Sequence, residues 1–246
     1  MICILKSSLD PSKEPQLRTR FLLLIPEIFS TTSTKTSVTR ELGGGLIDNS
    51  KNKFYLEKCV EELINDMILP NISWKAGRSA SAVRMTAIAS LALIMQEDAI
   101  KTINVCLLFY FLIINYLIIS KQFKLKMSTI ESLIKMMMSS LDDDNRSTRS
   151  YVCKLFLLIL GLYGKKLDKD QLHKLYPEFI KRLDDQSEEI RFEIIKVFNI
   201  YIESLNQDYD IILYQAHLQT IYENVLLYLD DPNIEIQLKI FSKILI

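Results

Sequence analysis

A nine-residue motif recurs three times in this sequence at a nearly constant spacing. The copies read LDDDNRSTR, LDDQSEEIR and LDDPNIEIQ, and they begin at Leu141, Leu183 and Leu229. Each copy starts with Leu-Asp-Asp and ends on Arg or Gln, and successive copies lie 42 and 46 residues apart. A period of this length is typical of helical repeat proteins, in which each repeat is one small unit that packs on its neighbours.

Amphipathic helical patterns flank each copy of the motif. Around the second copy, apolar residues recur at helical spacing on both sides, namely Leu172, Leu175, Phe179, Ile180 and Leu183 before it and Ile190, Ile194, Phe198 and Ile202 after it. The Asp and Ser residues between the two patterns suit a tight turn and a helix N-cap. Glu188 and Glu189 then fall in the first turn of the second helix, where the helix dipole favours acidic groups. Each unit is therefore predicted to be a helix, a tight turn and a second helix.

These units resemble the HEAT repeat. The matching features are an Asp at the turn, an aliphatic-Arg pair six residues later, best seen as Ile190-Arg191, and Pro177 inside a first helix. In that family the Asp and Arg side chains form a ladder of hydrogen bonds between stacked units, and the Pro bends the first helix. The resemblance implies a ladder made of Asp143, Arg149, Asp185, Arg191, Asp231, Gln237 and Arg84. Gln237 departs from the usual Arg, and Pro177 has no counterpart in the neighbouring units.

The sequence predicts an all-α fold, an α-solenoid of HEAT-like antiparallel helix pairs. An earlier unit has a helix over 54–69, a long connection and a helix over 79–96, and Leu17-Arg18 marks a partial unit before it. Because both ends are apolar and lack a polar cap, we expect a fragment of a longer protein or a truncated gene model. The predicted segments are a partial repeat at 1–29, a flexible loop at 30–53, a repeat at 54–104, an apolar insert at 105–126, and repeats at 127–164, 165–207 and 208–246.

The insert at 105–126 interrupts the period. Arg84 and Arg149 lie 65 positions apart, and removing the 22 residues of the insert leaves 43, which matches the spacing of the other repeats. Its apolar run, 105–119, has 15 residues, whereas a membrane-spanning helix needs about 17–25. A buried core helix would need neighbours on all sides, which a solenoid of two layers lacks.

A translated intron is our preferred interpretation of the insert. Eighteen of the 22 residues are Phe, Leu, Ile, Tyr, Asn or Lys, all types with A/T-rich codons. Val105-Cys106 can be encoded by GTATGT, a common intron start, and the codon for Lys126 can end in AG. A genuine insertion and a membrane span are the two alternatives.

Composition and motifs give no indication of nucleic-acid binding, metal binding or catalysis. The chain carries 30 basic and 30 acidic residues, so its net charge gives no reason to expect nucleic acid as a partner. The four cysteines share no metal-binding spacing, the two histidines, His173 and His217, have no ligand-like neighbours in sequence, and no phosphate-binding or nucleophile motif occurs. We therefore predict no enzyme activity, no cofactor and no metal. Trp74, in the longest connection between helices, is the candidate partner contact.

Three segments are similar to the HEAT-repeat axonemal dynein assembly factors. They are the turn Leu69–Arg78 with its Trp-Lys-Ala-Gly-Arg, the stretch Tyr176–Asp185, and Leu229–Pro232. The similarity covers about 54–104 and 127–240 and corresponds to the carboxy-terminal part of that family's proteins. It implies a non-catalytic cytoplasmic scaffold for dynein arm preassembly, with dynein chains and other assembly factors or chaperones as partners. The alternatives are a generic HEAT adaptor in transport or phosphatase complexes and a membrane-anchored scaffold.

Overall fold

The structure, a computed structural model, describes residues 2–30, 58, 60–95, 125–205 and 211–242. Every regular element in these ranges is helical. The predicted fold class is confirmed, since the fold is all-α and consists of HEAT-like antiparallel helix pairs of the α-solenoid type. The chain divides into two compact units, Met1–Met136 and Met137–Ile246.

The described part of the first unit contains two helix pairs. Its elements are α1 (Ile2–Ser8), α2 (Pro15–Ser30), a π-helical segment (Leu63–Ile68) that continues as α3 (Leu69–Ile72), α4 (Arg78–Met95) and the larger part of α5 (Met127–Ser140). Helices α1 and α2 both lie within the segment 1–29 that is predicted as a partial repeat, apart from the last residue of α2. Helices α2 and α4 pack side by side, and the Ser90 hydroxyl of α4 donates to the Leu22 carbonyl of α2 at 2.8 Å.

The second unit contains the three motif copies. Its elements after the end of α5 are α6 (Arg146–Tyr163), a 3₁₀ turn (Gly164–Lys166), α7 (Lys169–Leu183), α8 (Glu188–Ser204), α9 (Ile211–Leu226), a 3₁₀ turn (Leu227–Asp230) and α10 (Ile234–Ile240). Pro177 lies inside α7. Each Leu-Asp-Asp motif sits in the turn between a first and a second helix, as its sequence indicates.

Polar side chains define where these helices begin. The Asn145 side chain accepts hydrogen bonds from the backbone N–H groups of Ser147 and Thr148 at the start of α6. At the start of α7, Asp168 and Gln171 form a reciprocal capping box, with bonds of 2.7 and 3.1 Å. Such caps satisfy N–H groups that have no partner within the helix, and each stabilises the helix by about 1 kcal/mol.

Aromatic rings fill the centre of the second unit. The Phe179 ring of α7 meets Phe156 of α6 edge-on at 5.0 Å, and it contacts Phe198 and Tyr201 of α8 at 5.8 and 5.9 Å. All four side chains are fully buried. Since such edge-to-face pairs add about 0.5–1.5 kcal/mol to the gain from burial, this cluster holds the three helices together.

Most of the predicted insert and of the predicted loop at 30–53 lies outside the described residues. At the end of the insert, Leu125 is buried, and Lys126 forms an ion pair with Glu61 and donates its backbone N–H to the same carboxylate at 3.2 Å. Among the described residues, no helix has both the length and the apolar composition that crossing a membrane requires.

Candidate functional site

The Asp residues of the three motif copies have the same local role. The side chains of Asp143, Asp185 and Asp231 each accept a hydrogen bond from the backbone N–H two residues later, at 2.9, 2.9 and 2.8 Å. This Asx turn needs a short side chain with an acceptor oxygen, which explains why the motif carries Asp at this position. All three carboxylates are buried, so each needs further polar partners.

Arg149 supplies those partners for Asp185. Its Nε and Nη2 donate to the two carboxylate oxygens of Asp185 at 2.8 and 2.9 Å, which is a bidentate ion pair between neighbouring repeats. Its Nη1 donates to the carbonyl of Asp143, in its own turn, at 2.8 Å. One guanidinium therefore joins two successive turns, and the planar fork of Arg suits this geometry.

Arg191 makes the same contacts one repeat later. Its Nη1 donates to the Asp185 carbonyl at 2.8 Å, and its Nε lies 2.9 Å from the Asp231 carboxylate. Gln237, in the corresponding position of the third copy, donates from Nε2 to the Asp231 carbonyl at 2.7 Å. The amide thus reproduces the bond within its own turn, but a neutral amide cannot supply the ion pair.

The charges around Asp185 alter its proton affinity. Burial alone would raise the pKa of Asp185, but the hydrogen bonds from Arg149 and from the Ser187 backbone, with the charges of Arg149 and Arg182, outweigh it and lower the pKa. Arg182 also forms an ion pair with Asp142, which is exposed. The carboxylate of Asp185 is therefore held ionised inside the second unit.

The first unit contains an inter-repeat contact that uses an amide in place of a carboxylate. Arg18 donates from Nη1 to the Asn71 side chain at 2.9 Å and from Nε to the carbonyl of Lys13, in its own turn, at 3.0 Å. Asn71 donates in turn to the carbonyl of Leu9 at 2.8 Å. Sequence reasoning missed Asn71, although it follows Leu-Pro at the end of a first helix, where the other copies carry Asp.

The Arg84 side chain holds the loop that carries Trp74. Its Nη1 donates to the Lys75 carbonyl at 2.7 Å, and the side chain is buried. The Trp74 side chain is 69% exposed. Trp74 is thus the most exposed aromatic side chain among the described residues. It directly precedes Lys75, whose carbonyl is held by Arg84.

An open cleft of about 900 Å³ lies between the first turns of α6 and α8. Its walls are mainly charged and come from the motif turns and the second helices, including Arg146, Glu189, Glu193 and Lys196. Glu189 is paired with Arg146. Burial raises the pKa of Glu193. The Ser150 hydroxyl, which donates to this carboxylate at 3.0 Å, and the charge of Lys154 act in the opposite direction without cancelling the effect of burial.

The two histidines come together although they lie far apart in sequence. His173 of α7 and His217 of α9 stack with their ring centroids 4.1 Å apart. Burial and the neighbouring His173 lower the pKa of His217. Within the described ranges, no three His, Cys, Asp or Glu side chains gather closely enough to hold a metal ion.

Comparison with known proteins finds similarity to dynein assembly factors. No family model matches the sequence. Dynein axonemal assembly factor 5 from Xenopus laevis is 29% identical to this chain over 235 residues, which are 96% of the chain and 24% of that protein. The chain is a homologue of these assembly factors. The proteins of the same name from Mus musculus and Homo sapiens are 25% and 26% identical, over 96% and 95% of this chain and 24% and 23% of their own lengths.

The chain therefore spans about a quarter of the length of the curated relatives that it matches. Among solved structures, a designed armadillo repeat protein is similar with a TM-score of 0.42 and 14% identity, over 99% of this chain and 98% of that one. A second designed armadillo repeat protein, in complex with a peptide, gives 0.43 and 16%, over 98% and 97%.

Proposed function

We propose that this chain is a non-catalytic scaffold that takes part in the preassembly of axonemal dynein arms in the cytoplasm. The similarity to dynein axonemal assembly factors over 96% of the chain carries the proposal. The architecture agrees with a binding role, because stacked helix pairs present an extended surface to protein partners. The partners would be dynein chains together with other assembly factors or chaperones.

Affinity purification of the tagged chain from ciliated cells tests the proposal. We expect dynein chains to be recovered from the cytosolic fraction, in excess over an unrelated helical repeat protein with the same tag. Recovery of nuclear transport factors or phosphatase subunits without dynein chains would instead support a generic HEAT adaptor. Recovery of dynein chains only from detergent-extracted membranes would contradict the cytoplasmic scaffold and support a membrane-anchored one.

We also propose that residues 105–126 are a translated intron, which the repeat spacing and the A/T-rich codon types support. Sequencing of mature transcripts across this region is the direct test. Messages that lack the corresponding 66 nucleotides would agree with the proposal. If every mature message retains them, the intron proposal is wrong and the segment is either a genuine insertion or a membrane span.

A further inference from the structure

The loop between α3 and α4 displays the sole Trp of the chain at its surface. Trp74 is 69% exposed, and its neighbours from Ser73 to Ser79 are exposed as well. A large aromatic ring in contact with water does not stabilise the fold. The same ring can contribute strongly to binding, because Trp is enriched among the few residues that dominate protein interfaces.

The loop is held in place on both sides of the ring. Ile72, two residues before Trp74, is buried, and the carbonyl of Lys75 accepts the 2.7 Å hydrogen bond from Arg84. The carbonyl of Gly77 accepts a hydrogen bond from the backbone N–H of Ser81 at 3.0 Å. Gly77 has φ +103°, a conformation that other residues rarely adopt. A loop with these restraints loses little conformational entropy on binding, which favours affinity.

The charge of the loop selects the chemistry of the partner. Lys75 and Arg78 are both exposed, and residues 73–79 contain no Asp or Glu. The loop therefore combines one aromatic ring with two positive charges. This combination attracts a segment that offers carboxylates on either side of an apolar side chain.

We propose that Trp74, Lys75 and Arg78 form an anchor for an acidic, apolar-containing segment of a partner protein. The proposal rests on the proposed scaffold function, because it specifies the partner chemistry for one part of that scaffold. A protein segment fits better than nucleic acid, since binding a phosphate backbone takes a longer series of basic side chains than two.

Because Trp74 is the sole Trp, its fluorescence reports on this loop alone. The full chain is titrated with a twelve-residue peptide of alternating Glu and Leu, and separately with a Lys-Leu peptide and with oligo(dT). We expect only the Glu-Leu peptide to shift the emission to shorter wavelength and to protect the ring from acrylamide. Lys75→Glu with Arg78→Glu should weaken the binding at least about tenfold, and added salt should weaken it too.

No emission shift, or an equal shift with the acidic and the basic peptide, would overturn the anchor. A shift with oligo(dT) and not with the Glu-Leu peptide would make nucleic acid the ligand and would also contradict it. Trp74→Ala is read out by anisotropy of labelled Glu-Leu peptide, and a loss of at least about tenfold in affinity is expected. Leu227→Ala is the matched control, because Leu227 is also 69% exposed but lies in the other unit.

Recovery of dynein chains by the tagged protein distinguishes a failure of the Trp74 anchor from a failure of the proposed scaffold function. If the wild-type chain recovers dynein chains and Trp74→Ala recovers them equally well, the anchor is wrong for these partners and the scaffold stands. If the wild-type chain recovers none, the scaffold fails whatever the variant does. Circular dichroism of Trp74→Ala should match the wild type, since this exposed ring contributes little to the fold.

Discussion

Asp185 contributes to stability through its charge as well as through its place in a turn. Asp185→Asn keeps an acceptor for the Ser187 N–H but removes the ion pair with Arg149. We expect the free energy of unfolding to fall by about 2–3 kcal/mol, because a cation is left beside a neutral amide in a mostly buried site. Urea denaturation measures the change. Asp142→Asn, which also removes an ion pair but at an exposed side chain, should change stability by only about 0.5 kcal/mol or less.

The pH dependence of stability reports the same interaction. Since the pKa of Asp185 is lower in the folded chain than its ordinary value of about 3.9, the stabilisation is fully present above that value. It is lost as the pH falls through the lower folded pKa. The stability difference between wild type and Asp185→Asn should therefore be constant from about pH 7 to 5 and shrink below about pH 4. A difference that does not vary with pH would show that the charge is not involved.

Thr148 places a hydroxyl in a position that is aliphatic in the other motif copies. The residue is fully buried, and its Oγ1 has no hydrogen-bond partner in the part of the chain that the structure describes. Thr148→Val should raise the free energy of unfolding by about 1 kcal/mol, because it keeps the shape and removes the unsatisfied group. Thr86→Val is the control, since the buried Thr86 hydroxyl donates to the Ala82 carbonyl at 2.8 Å. A gain from Thr86→Val as large as that from Thr148→Val would contradict this explanation.

At the scale of elements, the close approach of neighbouring second helices depends on one glycine. A Cβ at Gly164, the first residue of the 3₁₀ turn that follows α6, would lie 2.1 Å from the Oγ and 2.7 Å from the Cβ of Ser204, at the end of α8. Gly161, one turn earlier in α6, has no atom within 4 Å of the corresponding position. The two glycines therefore separate the effect of helix packing from that of helix propensity.

Gly164→Ala should lower the melting temperature, because the new methyl group forces α6 and α8 apart at a cost of about 1–3 kcal/mol. Gly161→Ala, within α6, should be neutral or stabilise by about 0.5–1 kcal/mol, since Ala is the better helix former. Differential scanning calorimetry compares them. Adding Ser204→Gly to Gly164→Ala should recover part of the loss, and no recovery would mean that the clash with Ser204 is not the cause.

At the scale of the whole molecule, the insert tests whether the repeat period governs the fold. A variant without residues 105–126 restores a spacing of 43 between Arg84 and Arg149. We expect it to unfold cooperatively, with a melting temperature at least equal to that of the intact chain. The deletion removes the contact between Lys126 and Glu61, but it also removes a long apolar segment that favours aggregation. Loss of cooperative unfolding in the variant would indicate that the insert belongs to the fold.

The short-range features of this chain could be predicted from its sequence. The Leu-Asp-Asp motif predicted the turns, and the helical spacing of apolar residues predicted α7 and α8. The prediction of a helix over 79–96 differs from the observed Arg78–Met95 by one residue at each end. These features depend on residues within a few positions of one another. A short stretch of sequence therefore contains all the information needed to predict them.

The sequence by itself determined that this chain forms helix pairs at a regular period, because periodicity and turn chemistry are local properties. Only the tertiary structure decided the contacts between distant side chains that the resemblance to HEAT repeats did not imply. It paired Arg18 with Asn71, seated Gly164 against Ser204 and stacked His173 on His217. The members of each pair lie 40 or more positions apart, and each contact depends on how neighbouring helices are offset. That offset follows from the packing of whole side chains, for which the local pattern carries no signal.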